Sequence, residues 1–202
     1  MRIGIDVDGV LRDFVTAFKG VVGQEYPNAQ IPEMISTWKF ENDIIGLSRE
    51  EIKEIYKEKF SKQCFQDSLP FSEAVPTFWM LEKWAEREGH ELIIVTSQIP
   101  VNRHFTLSWL GKYNLNPNQV IFARGKHKWI EDVDYLIDDS PVNHKYWVEN
   151  REDKDNFIVF NRSYNQDVKS KHRINSLSEI KEIVERGWKS NYQKSRAKFC
   201  NG

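Results

Sequence analysis

The stretch "IGIDVDGVLRDF", Ile3 to Phe14, decides how the rest of the chain is read. An apolar, β-branched run ends in two aspartates, Asp6 and Asp8, and a glycine follows at once. A strand end that only needed solvating could finish on lysine or serine. Two carboxylates placed there gather negative charge at one point instead. In an extended segment residues i and i+2 point the same way, so Asp6 and Asp8 can both address one ligand. Gly9 then permits a tight turn and a close approach by that ligand.

Read outward, the first run, "RIGIDV" (2–7), is joined by "ELIIVT" (91–96), "QVIFA" (119–123), "VDYLID" (133–138) and "NFIVF" (156–160). Each is nearly continuous in apolar character, as expected of strands buried on both faces of a parallel sheet. Helical patterns separate them. The segment 72–89 puts Val75, Phe78, Leu81 and Ala85 on one stripe and stops at Gly89. The segment 101–113 places Val101, Phe105, Leu107 or Ser108, and Leu110 in the same way. Strands alternating with helices imply an α/β fold with a doubly wound parallel sheet and right-handed crossovers.

More than eighty residues lie between the first two runs, far more than one crossover needs. Residues 15–70 read as mostly helical, and "LSREEIKEIYKEKF" (47–60) carries a capping box with Ser48 as N-cap and Glu51 three residues on. The expected organisation is an α/β core from 1–14 and 71–202, with a small helical cap, 15–70, inserted after the first strand and able to close over the sheet's carboxyl edge.

The bulk composition excludes several classes. The chain has 202 residues, enough for one core with a small inserted subdomain. Its 29 basic and 30 acidic residues give a formal net charge of −1, so nothing global draws it to nucleic acid or an anionic membrane. Its two cysteines, Cys64 and Cys200, form no CxxC, which argues against a disulfide framework or zinc knuckle and for a reducing compartment. No signal-peptide-like leader precedes the first run, and no apolar run approaches the roughly 18 residues of a membrane span. A soluble, cytoplasmic protein is expected. The five histidines show no metal-ligand spacing and read as surface or loop residues. The basic, aromatic-containing tail with Trp188 and Tyr192 reads as a charged helix face. Neither the G-x-x-x-x-G-K-[ST] loop nor the G-x-G-x-x-G fingerprint is present.

In doubly wound sheets ligands bind beyond the carboxyl ends of the strands. The first strand offers Asp6 and Asp8 there, the second Thr96 and Ser97, the fourth Asp138 and Asp139. Just before the fourth comes "RGKHKW", with Lys126 and Lys128. Carboxylates from two strands, a hydroxyl pair and a lysine on one rim make a metal and phosphate site. Mg²⁺ takes oxygen ligands and keeps several waters, so two or three protein oxygens suffice. A carboxylate beside the cation can attack phosphorus to give an aspartyl-phosphate, and a second can protonate the leaving oxygen and then activate water. Hydroxyls and a lysine would neutralise the transferring phosphoryl group. Asp139 is placed behind the metal, hydrogen-bonding or reaching it through water.

At these residues the chain resembles the haloacid dehalogenase (HAD) superfamily, whose four signature motifs look like "DVDGV", "VTS", a lysine and "IDD" in that order. It is more closely similar to the 5′(3′)-deoxyribonucleotidase branch, through "DGVLRDF", "STWKFE", "LIDDSP" and "NRSYN", over roughly residues 3 to 165. The resemblance implies a Rossmann-like, HAD-type core with a small cap that grips the nucleoside. It implies Asp6 as nucleophile, Asp8 as general acid/base and Mg²⁺ ligand through its carbonyl, and Asp138 as the other metal ligand. Thr96, Ser97 and a lysine would hold phosphate, and the branch's spacing of ten positions before the last motif selects Lys128 over Lys126. Phe14 falls at the cap's hinge and Trp38 and Phe40 near the base pocket, where stacking on a base competes with ordinary core packing. Arg12 stands where the family usually has a small residue, and Gln98 where proline is common. Arg12 reads as solvated, with a phosphate contact as the alternative.

The expected activity is Mg²⁺-dependent hydrolysis of a phosphate monoester, a (deoxy)nucleoside monophosphate in the first instance. Phosphatases of nucleic-acid ends or of sugar phosphates are the alternatives on the same site, and a non-catalytic phosphate-binding module is the rival from another class. Membrane and nucleic-acid partners are not expected, and a homodimer is left open.

Overall fold

A computed structural model of the chain describes residues 1–187. The expected properties of Trp188, Tyr192, Cys200 and the rest of the basic tail lie outside the described residues.

Six parallel strands form one sheet: β1 (Arg2–Ile5), β2 (Glu91–Thr96), β3 (Gln119–Phe122), β4 (Tyr135–Asp138), β5 (Phe157–Phe160) and β6 (His172–Ile174). Their spatial order is β3-β2-β1-β4-β5-β6, and every pairing is parallel. The order reverses at β1, where the chain first builds outward to β2 and β3 and then returns to lay β4 on its other side. This leaves a crevice at the carboxyl end between β1 and β4, the place where such sheets take ligands.

Burial on both faces explains the continuous apolar runs of β1, β2, β4 and β5, whereas the edge strand β3 is only half-buried. Ile3, Ile5, Leu92 and Ile94 join one hydrophobic cluster, with Phe78 and Leu81 of helix α4 (Ala74–Glu88) and Trp109 of helix α5 (Arg103–Lys112). The intervening Ile93, Val95 and Leu136 face a second cluster with Trp147 of helix α6 (Pro141–Asn150) and Phe157. Each such aliphatic side chain contributes roughly 1.5–3 kcal/mol on burial. α4 ends at Gly89 in the left-handed region, φ 66°, as a helix stop requires.

Residues 14–65 build a third cluster, formed by Phe18, Val21, Val22, Ile44, Ile52, Ile55, Cys64 and Phe65. Helix α1 (Phe14–Glu25) is capped by Asp13, helix α2 (Arg49–Glu54) carries the Ser48–Glu51 capping box, and helix α3 (Ser61–Phe65) follows a π-helical turn, Ile55–Lys59. The segment between α1 and α2 differs from the helical expectation. Apart from one 3₁₀ turn, Phe40–Asn42, residues 26–48 are irregular, pinned by an antiparallel bridge between Gln30 and Ile45. Pro27, Pro32 and a left-handed Gly46 (φ 92°) oppose a helix there.

Two further expectations need correction. On α5 the inward face is Thr106, Trp109 and Leu110, whereas Leu107 and, in the turn just before the helix, Val101 are exposed. The large Trp109 ring sets the face, its indole N–H donating to the Ser68 carbonyl at 2.9 Å. Arg12 is not solvated but fully buried. Among the described residues no helix is long and apolar enough to cross a membrane.

Candidate active site

β1 and β4 run in register, Ile5 beside Ile137, and the Asp6 N–H donates to the Ile137 carbonyl at 2.9 Å. Asp6 therefore leaves the sheet beside Asp138, although 132 positions separate them along the chain. Carboxylate oxygens of Asp6, Asp138 and Asp139 all lie within 4.8 Å of one another, and all three residues are buried.

Lys128 enters from the 3₁₀ segment Gly125–Ile130 with its side chain 1% exposed. Its Nζ lies 2.8 Å from Asp6 Oδ1 and 2.7 Å from Asp138 Oδ2. Asp138 is further held by the Ser140 N–H at 2.7 Å and by Asn143 Nδ2 at 2.9 Å. Asp6 Oδ1 also accepts from the Val7 N–H at 2.8 Å, and its second oxygen accepts no hydrogen bond among the described residues. Asp139 accepts from the Tyr164 hydroxyl. Three carboxylates facing one ammonium leave a formal charge of −2.

That imbalance shows in the titration of the site. Burial pushes the Asp6 carboxyl up to about 7, with Lys128 opposing and the Asp138 charge adding to the shift. Burial and the charges of Asp138 and Asp6 likewise hold Asp139 well above the usual carboxylate range. A cluster of hard oxygen donors with a deficit of two positive charges fits a divalent cation such as Mg²⁺.

Asp8 does not join the carboxylate cluster with its side chain. The extended geometry ends at Ile5, so same-face pairing of residues i and i+2 no longer applies at Asp8. Its carboxylate is bound by Arg12 and Gln98: Arg12 Nε to Oδ1 at 2.7 Å, Arg12 Nη2 to Oδ2 at 3.0 Å and Gln98 Nε2 to Oδ2 at 2.8 Å. Gly9 makes the following turn with φ 80°, and a Cβ there would fall 1.9 Å from Asp139 Oδ2. Only glycine lets this turn pass the acidic cluster.

These groups open into a cavity of about 480 Å³. Thr96, Ser97, Lys126 and Lys128 line it, as do Phe14, Trp38 and Phe40. Thr96 is buried and Ser97 exposed, with the Ser97 hydroxyl donating to the Gly125 carbonyl at 3.2 Å. Lys126 sits at the exposed rim with its Nζ 3.0 Å from the Tyr146 hydroxyl. Phe14 packs in the third cluster, stacked on Phe65 at 5.3 Å and edge-on to Phe40 at 6.3 Å. Trp38, 40% exposed, leans on Tyr164 at 5.7 Å.

Sequence reasoning missed Tyr164, Asn143 and Gln98 as partners of the acidic groups, and Tyr56 as part of the cavity wall. Tyr164 lies in "NRSYN" and Asn143 follows "LIDDSP", both stretches already singled out. Their roles depend on the turns after β4 and β5, which the motifs alone do not specify. Cys64 is buried, and burial pushes its thiol up to about 12.

A doubly wound sheet with strand-end carboxylates bridged by a buried lysine at its switch point defines a phosphohydrolase of the HAD type. The chain belongs to the family described as 5′ nucleotidase, deoxy (pyrimidine), cytosolic type C protein, whose model matches residues 1–189. It is thus a phosphatase, 5′-nucleotidase-like in kind. No curated protein sequence matches the chain.

Similar solved structures include a Bacillus subtilis protein described as a HAD-hydrolase bound to magnesium. It is 14% identical with TM-score 0.57, over 91% of this chain and 98% of that one. L-2-haloacid dehalogenase from Xanthobacter autotrophicus is 10% identical with TM-score 0.55, over 91% of this chain and 98% of that one. A HAD-superfamily hydrolase of subfamily IA from Geobacter sulfurreducens is 13% identical with TM-score 0.52, over 90% and 98%. At these identities they establish the fold.

Proposed function

We propose that the protein is a Mg²⁺-dependent phosphatase of (deoxy)nucleoside monophosphates that works through an aspartyl-phosphate on Asp6, in a cytoplasmic setting. The observation that carries this reading is the buried cluster of formal charge −2, with one Asp6 oxygen left without a donor among the described residues, facing a cavity walled by aromatic rings.

Asp6, Asp138 and the carbonyl of Asp8 would hold the cation, with Asp139 behind them and fixed by Tyr164. When bound, Mg²⁺ supplies positive charge that neutralises the phosphate oxygens and lets two anions approach. Lys128 favours the ionised form of Asp6 against the burial that opposes it, and orients the carboxylate. The free Asp6 oxygen attacks phosphorus as the bond to the ester oxygen breaks, and that oxygen takes the bond's electron pair and a proton from Asp8. Water then attacks the same phosphorus and gives its proton to Asp8. The bond between phosphorus and Asp6 breaks, phosphate departs, and both carboxyl groups return to their starting states. Thr96, Ser97 and Lys128 would hold the three phosphoryl oxygens in the charged transition state. Trp38, Phe40 and Phe14 form the apolar wall against which a base can lie.

A panel of phosphate esters with Mg²⁺ and after chelation tests this. Mononucleotides are expected to outrun oligonucleotides and sugar phosphates, and chelation to abolish release. Mg²⁺ should also raise the melting temperature, because it binds the folded cluster and not the unfolded chain. Faster turnover of sugar phosphates, or full activity without a divalent cation, would contradict the reading.

A further inference from the structure

We propose that Arg12, with Gln98, is a positioning residue that holds the Asp8 carboxyl in the orientation from which it serves the leaving group. This rests on the reading of Asp8 as the proton-transferring residue.

Arg12 is a large cation with no solvent exposure, and a buried guanidinium persists only where its charge and N–H groups are matched. Here they are matched onto one catalytic-loop residue. Nε and Nη2 grip both oxygens of Asp8, at 2.7 and 3.0 Å. Nη1 donates to the Phe65 carbonyl at 2.6 Å, and Nη2 also reaches Thr106 Oγ1 at 3.2 Å. The guanidinium carbon lies over the rings of Phe65 and Trp109, 5.1 and 5.3 Å from their centroids. The fork is thus fixed by α3 of the insertion and by α5 of the core before it touches Asp8. Such a rigid two-pronged donor fixes the carboxyl plane as well as its distance.

Gln98 completes the hold with its 2.8 Å bond to Oδ2. It is itself 93% buried, and its backbone carbonyl accepts from Arg103 Nε at 3.4 Å. Together the two side chains place three donors on Asp8, whose carboxyl still borders the cavity with 27% of its side chain exposed. A carboxyl so held has one plane and one rotamer. Geometry of this kind matters most where the proton must meet a poor leaving group in flight. Both side chains bond the same carboxyl, so the pair acts as one device.

The test compares an alkyl phosphate, a deoxynucleoside monophosphate, with an activated aryl phosphate, p-nitrophenyl phosphate, whose leaving group needs no proton. Arg12→Ala is expected to lower kcat for the nucleotide on the order of 10²-fold and for the aryl ester at least about 10-fold less, with KM little changed. Gln98→Leu should show the same selectivity at smaller size, and Arg12→Lys should restore part of the nucleotide rate. If Arg12→Ala fails to fold, Gln98→Leu and Arg12→Lys carry the test. Equal loss on both esters in the folded variants would overturn the positioning role. Asp8→Asn is the control: if it too lacks leaving-group selectivity, the reading of Asp8 itself fails, and if it shows selectivity that the Arg12 and Gln98 variants lack, only the present proposal fails.

Discussion

An Asp6→Asn enzyme is expected to release no measurable phosphate from any ester, a loss on the order of 10⁴-fold or more, as when a covalent nucleophile is removed elsewhere. The amide has nearly the shape of the carboxyl, so the fold has no steric reason to change. The electrostatics favour the variant. Burial, opposed by Lys128 and reinforced by the Asp138 charge, pushes the Asp6 carboxyl up to about 7, and a neutral group at that place removes the cost of burying its charge. The melting temperature without metal should therefore hold or rise while activity disappears. Initial rates with a nucleotide and with p-nitrophenyl phosphate, beside a thermal melt, separate the two effects. Full activity with either ester would mean that phosphorus is not attacked by Asp6.

The second large effect is expected at Lys128, and here stability and activity should fall together. Among the described residues its ammonium is the one cation bonded to both Asp6 and Asp138, at 2.8 and 2.7 Å, and its side chain is 1% exposed. Lys128→Met keeps the stem but leaves two buried carboxylates without their partner. Breaking a buried pair from one side costs about 3–5 kcal/mol. A divalent cation would offset part of this, so the loss of melting temperature should shrink as Mg²⁺ is added. The rate should still fall by roughly 10²-fold or more, because a fixed charge next to the transferring phosphoryl group has gone. Lys126→Met should cost little in either measurement, since Lys126 is exposed and, among the described residues, hydrogen-bonds only the Tyr146 hydroxyl. The reverse ranking would show that the neighbouring lysine carries the charge.

Local chemistry was legible in the sequence to different depths. "DVDGV" announced a strand ending in acid, and Gly9 is required there because φ is positive and Asp139 blocks any side chain. The continuous β-branched runs marked five of the six strands; β6, "HRI", is three residues long with two polar members and carries no such signal. Helix α6 was hidden for a similar reason, since only Asn143 and Trp147 of its ten residues are buried. The meeting of Asp6 with Asp138 was expected from the strand-end rule. That the two are immediate neighbours follows from β4 pairing with β1, which no local pattern encodes.

Arg12 shows the clearest limit. A lone arginine in a sequence reads as solvated because desolvating its charge is costly. Its burial depends on Phe65, Thr106 and Trp109, which arrive from positions 53 to 97 residues away. The irregular segment 26–48 was obscured in another way, by averaging with the helices that flank it.

Acidic groups from two strand ends are expected to share one divalent cation while Asp6 remains free to take phosphorus. A crystal structure of the protein with Mg²⁺ and beryllium fluoride tests it most directly. A trifluoroberyllate is expected on the free oxygen of Asp6, with Mg²⁺ between it and Asp138 and with Lys128 against its fluorides. Beryllium fluoride and Mg²⁺ both absent from Asp6, or bonded to a different carboxylate, would contradict it.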